Sequence, residues 1–119
     1  LTNTYKFPKD TESLADDAET GALFQIIKKT LRKDMIDAAK ALKKENKLTA
    51  SLIQKALQED EIAFLEAGLS VQSGRSVEHV RSVISRAGMD AIVQLLVSAG
   101  IQQEMHEEFR AGFERIRLQ

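Results

Sequence analysis

The chain has no cysteine, which excludes disulfides and thiolate metal sites and is compatible with a reducing compartment. One proline and six glycines in 119 residues are too few turn residues for a many-stranded β protein. Aromatic residues make up 5 % of the chain, leaving no stacking platform for single-stranded nucleic acid. A net charge of −1 supplies no global field toward nucleic acid or an anionic membrane, so such binding would need a local patch. The longest strongly apolar stretch, Ala91 to Val97, contains Gln94 and is far too short to span a bilayer. The first residue is Leu1 and no basic-then-apolar leader follows it, so the chain reads as a cut piece or a processed product.

What remains is 43 % hydrophobic and 29 % charged, rich in helix formers and sized for one domain with a modest core. Residues 1–19 carry Pro8, scattered threonine and the acids Asp10, Glu12, Asp16, Asp17 and Glu19. Without a regular apolar face they read as an acidic N-terminal arm or linker with a short helical turn around Ser13 to Ala18. Residues 20–119 read as a helical-repeat domain. Thr20 is placed to cap a first helix bearing Leu23, Ile26, Ile27 and Leu31. Asp34 opens a second, with Met35, Ile36, Ala38, Ala39 and Leu42, closed near Asn46. Thr49 caps a third, with Leu52, Ile53, Ala56 and Leu57, and Asp60 opens a fourth, with Ile62, Phe64, Leu65 and Leu69. Beyond Ser73-Gly74, Ser76 caps a fifth through Val77, Val80, Val83 and Ile84. Met89 to Ala99 form a sixth, and Met105, Phe109, Phe113 and Ile116 make the stripe of a seventh.

Laid over one another, these segments recur. Ile27 to Leu31 match Ile53 to Leu57 and Ile36 falls on Ile62 at an offset of 26, while Thr49 falls on Ser76, Ile53 on Val80 and Leu57 on Ile84 at 27. A short hairpin cannot bury its apolar face alone, whereas stacked hairpins share a core. The expected fold is therefore all-α: short antiparallel helix hairpins stacked as a HEAT-like repeat, or a compact helical bundle, of about seven helices. The run Ser51 to Ala67 pairs an apolar-Leu helix with an acidic turn and a Phe-Leu-Glu-Ala helix. Together with Val77 to Leu95 and Ala99-Gly100-Ile101, it resembles an uncharacterised alphaproteobacterial family, classed as a domain of unknown function and described as helical and HEAT-like. The resemblance covers the middle half of the chain, without residues 1–19 or the last helix. It implies a bacterial cytoplasmic protein of α-solenoid character and supplies no catalytic residues.

Two surface features are candidates for binding a partner. Lys40, Lys43, Lys44 and Lys47 follow i, i+3, i+4, i+7 spacing, which sets four ammonium groups along one helix face. Between Lys28 and Lys55 there are nine basic and three acidic residues, enough for an acidic partner, nucleic-acid phosphates or anionic lipid. The competing reading is a solvated face covered by the acidic arm. The second feature is the stripe of Met105, Phe109 and Phe113 on the last helix, open to another subunit or folded back as a cap. The segment Val80 to Ala99 has a helix-turn-helix layout, but its second helix offers no basic group to a groove. Nucleic acid is disfavoured.

His79 and His106 lack the partners of a helical metal site, and Glu59, Asp60 and Glu61 serve a helix start as cap and dipole complement. No nucleophile triad, phosphate loop or glycine-rich fingerprint can be assembled, so no enzyme activity, cofactor or metal is expected. The sequence thus points to a cytoplasmic scaffold or regulatory module that binds an unidentified protein, with homo-oligomerisation through the C-terminal helix as one route and electrostatic binding through the lysines as the alternative.

Overall fold

The computed structural model describes residues 12–118, and for residues 12–18 the backbone alone. Among the described residues there are seven α-helices and no strand: α1 Glu12–Lys28, α2 Met35–Lys44, α3 Ala50–Gln58, α4 Ile62–Ser73, α5 Val77–Arg86, α6 Met89–Ser98 and α7 Gln103–Arg117, with a 3-10 turn, Arg32–Asp34, ahead of α2. Thr49 and Ser76 cap α3 and α5 as the sequence suggests, their hydroxyls accepting from the backbone N–H of Leu52 at 3.1 Å and of His79 at 3.0 Å. Thr20 does not act in that way. Helix α1 is already formed at Glu12, the first described residue, and runs through Thr20, because no proline interrupts it there and the single Gly21 costs only about 1 kcal/mol. Of the arm assigned to residues 1–19, residues 1–11 lie outside the described residues, and 12–19 are helical.

Helix ends follow a common device. Asn46, Asp60 and Gly100 each adopt positive φ, at 61°, 60° and 76°. The N–H that follows each reaches back to the helix: Lys47 to the Leu42 carbonyl at 2.8 Å, Glu61 to Ala56 at 2.8 Å and Ile101 to Leu96 at 2.9 Å. This is the Schellman closure. Asp60 therefore ends α3 and does not open α4, correcting the sequence reading. Recurrence persists in these bounds. Helices α2, α4 and α6 start at Met35, Ile62 and Met89, which are 27 residues apart, and each is followed by a left-handed residue, Asn46, Gly74 or Gly100.

Helix α4 is the centre of the packing. Its residues Phe64 to Ser70 are all buried, and it lies against α2, α3, α5 and α6; a helix apolar on every side belongs in a core. From α1 the core takes Phe24 and Ile27, whereas Ile26 and Leu31 are exposed. The four-residue stripe proposed for this helix fails because α1 ends at Lys28 and Leu31 is extended, with ψ 147°. The last helix also departs from one expectation. Phe109 and Phe113 are fully buried, packed edge to face with ring centroids 6.2 Å apart, so they close the core and are not open to a second subunit. Met105 is half-buried against the same core.

Basic side chains from other helices finish three helix C-termini, where carbonyls lack intrahelical partners. Arg115 donates to the Leu57 carbonyl at 2.6 Å and to Asp60 at 2.8 Å, at the end of α3. Arg117 donates to the carbonyls of Ile84 at 2.6 Å, Val83 at 2.9 Å and Ala87 at 2.8 Å, at the end of α5. Lys43 donates to the Val71 carbonyl at 3.3 Å, near the end of α4. The cations also oppose the negative end of each helix dipole. Arg117→Ala is expected to lower stability by about 1–2 kcal/mol, since water can reach the freed carbonyls, with Arg117→Lys intermediate; urea denaturation measures both.

Candidate functional site

Helix α6 carries more apolar surface than the core can take. Ile92, Leu95 and Leu96 face inward, while Met89, Val93 and Val97, spaced i, i+4, i+8, lie on the outer side with exposures of 52 %, 36 % and 62 %. Helical spacing makes these three a continuous stripe, and Val97 with Val93 runs on into a groove between α6 and α7. Gly100, Ile101, Gln103 and His106 complete that groove, which encloses about 630 Å³. The left-handed Gly100, at φ 76°, makes the sharp turn from α6 into α7 that a side chain would strain. His106 is fixed over it, its Nε2 donating to the Ile101 carbonyl at 2.9 Å.

The charge around this face is mainly acidic. From Met89 to Phe109 there are four acids, Asp90, Glu104, Glu107 and Glu108, and no lysine or arginine. Glu108 accepts from Gln54 of α3, and Glu107 is bound by Arg110 through both guanidinium arms. Arg110's hydrogen bond holds the Glu107 carboxyl below its ordinary range, and the same bond raises Arg110.

The lysine stripe is divided by the structure. Lys40 and Lys44 are exposed and form no ion pair among the described residues. Lys43 is bound to the end of α4. Lys47 lies 3.7 Å from Glu19 and 3.9 Å from Glu45. The i, i+7 spacing fails at Lys47 because α2 ends at Lys44 and Asn46 turns the chain.

One charged residue escaped the sequence reading. Glu66 of α4 is buried, at 5 % exposure, and accepts from Arg81 of α5 through Nε at 3.2 Å and Nη2 at 3.1 Å. Arg32, in the turn before α2, stands 3.9 Å away. The hydrogen bond and charge of Glu66 push Arg81 above its ordinary value. A glutamate within the apolar run Phe64 to Leu69 was the available signal, since such a group is buried only with a partner. It ties α4 to α5 and leaves a recess of only about 70 Å³. No group of three or more His, Asp or Glu side chains suited to a metal ion occurs among the described residues, and no described helix is long and apolar enough to cross a membrane.

Residues 5–118 match the bacterial family described as "Uncharacterised protein conserved in bacteria (DUF2336)". The chain belongs to that family. DUF2336 thus extends over the acidic N-terminal segment from Tyr5 and over α7, well beyond the middle half on which the resemblance rested. No curated protein and no solved structure matches this DUF2336 chain.

Proposed function

We propose that this chain is a HEAT-like helical-repeat module of the bacterial cytoplasm that acts by binding another protein and not by catalysis, and that the outer face of α6 with the α6–α7 groove is its binding surface. The observation that carries this reading is the stripe of Met89, Val93 and Val97. Three large apolar side chains on one exposed helix face, continuous with a groove and rimmed by acids, have the anatomy of a recognition surface. The 27-residue recurrence of α2, α4 and α6 supports the repeat character, because stacked hairpins present extended faces for partners. The lysine alternative is weaker, since only Lys40 and Lys44 of its four residues stand free of the described contacts.

A photo-crosslinking amino acid in place of Val97, introduced in the native bacterium, tests the reading. The expected result is a discrete crosslinked protein species that is absent when the probe replaces Ser51, an exposed residue of α3. Equal crosslinking at both positions, or none at Val97, would count against it.

A further inference from the structure

The repeat register shows what kind of surface α6 leaves open. On α2 the positions Met35, Ala39 and Lys43 turn toward α4: the first two are buried, and Lys43 reaches the Val71 carbonyl. One repeat later the same positions are Ile62, Glu66 and Ser70 of α4, half-buried or buried, with Glu66 held by Arg81 of the following hairpin. A further repeat on they are Met89, Val93 and Val97, and these are exposed. In α2 and α4 this face is covered by the hairpin that follows. In α6 it meets only the edge of α7, across the groove.

The opposite end of the stack is complementary. Helix α4 packs against both α2 and α6 and stands between them. At the α1–α2 end, Ile26 and Leu31 are the exposed large apolar residues. From Lys28 to Lys44 there are seven basic and two acidic residues, the acids Glu12, Asp16, Asp17 and Glu19 lying further back on α1, against five acidic and three basic ones from Met89 to Arg117. We infer that the occupant of the α6 face is a second copy of this chain, docked head to tail, with the acidic α6–α7 end of one molecule against the basic Lys28–Lys44 segment of the next. Opposite charges steer and register such a contact, and apolar residues on both sides supply burial. Pairing of α6 with α6 across a two-fold axis would bring Asp90 and Glu104 of both copies into one interface, a like-charge cost. Because the two ends are different surfaces, the contact is heterologous and continues the stack. This inference rests on the reading of α6–α7 as an interaction surface and names its partner.

Two variants that each destroy one end test it: Val93→Asp with Val97→Asp for the α6 end, and Ile26→Asp with Leu31→Asp for the α1–α2 end. All four residues are exposed, and circular dichroism confirms that each variant folds. In sedimentation velocity the wild type is expected to gain mass with concentration up to about 1 mM, a range that captures weak contacts. The association should weaken as salt is raised from about 0.05 to 0.5 M. Each variant alone should associate roughly tenfold or more weakly. Mixed in equal amounts, the two should form a dimer and nothing larger, because each contributes its one intact end. A monomeric wild type throughout, a mixture no heavier than its components, or a dimer abolished by the α6 variant but untouched by the α1–α2 variant would overturn the inference. Crosslinking of Val97 to a different protein, together with a monomeric wild type, would leave the binding surface standing and remove only the second copy.

Discussion

Phe113→Ala is expected to lower stability by about 3–5 kcal/mol, the cost of deleting a fully buried aromatic side chain and leaving its cavity. For a domain of this size that corresponds to a fall in Tm of roughly 12–20 °C, read by thermal or urea denaturation. The size of the effect follows from where the ring sits. Phe113 has no exposed surface, packs edge to face on Phe109, and belongs to a helix lying against α3, α5 and α6. Removing it loosens the element whose Arg115 and Arg117 finish the ends of α3 and α5. Phe113→Leu keeps apolar volume in the site and should cost distinctly less. If Phe113→Ala were nearly neutral, α7 would be a peripheral helix, and the groove it forms with α6 could not be a rigid feature of the molecule.

The same helix shows what the sequence could and could not disclose. The spacing of Met105, Phe109, Phe113 and Ile116 identifies an amphipathic helix, but periodicity alone does not say whether its apolar side meets the core or a second molecule. Helix starts at Thr49 and Ser76 were legible because a hydroxyl before an apolar run has a local meaning. The helix through residues 12–20 was legible only as a short turn around Ser13 to Ala18, since these residues lack a regular apolar face. Asp60 was read as an opener because an acid before an apolar run usually is one; its left-handed backbone belongs instead to the Schellman closure of α3, and its side chain is met by Arg115, 55 residues away. The candidate site was hidden for a related reason. Ala91 to Val97 is apolar except for Gln94, so the sequence assigns α6 to the core, and only packing separates Leu96, which is buried, from Val97, which is not.

Gly112→Ala is expected to destabilise the fold by about 2–3 kcal/mol, although alanine is the better helix former by up to about 1 kcal/mol. A Cβ on Gly112 would stand 2.5 Å from Leu57 Cδ2 and 2.6 Å from its Cγ, closer than carbon atoms approach without displacement. Leu57 is buried at the end of α3 and, with Gly112, borders a recess of about 340 Å³, so the clash is relieved by displacing the leucine side chain, α7, or both. A double-mutant cycle isolates this cause. Leu57→Ala alone should cost about 2–5 kcal/mol through its cavity, but in the Leu57→Ala background the added Cβ of Gly112→Ala meets open space. The two losses should then fall short of additivity by more than about 1 kcal/mol, and in that background Gly112→Ala should approach neutrality or stabilise, because only its helix propensity remains. Strict additivity would mean that the absence of a side chain at Gly112 is not what lets α7 approach α3. With that approach goes the position of Arg115, whose hold on the Leu57 carbonyl and Asp60 depends on the two helices meeting at this glycine. Urea titration of the four proteins, with the m-value checked for a change in the unfolded state, therefore reports on the helix contact that sets the groove beside α6.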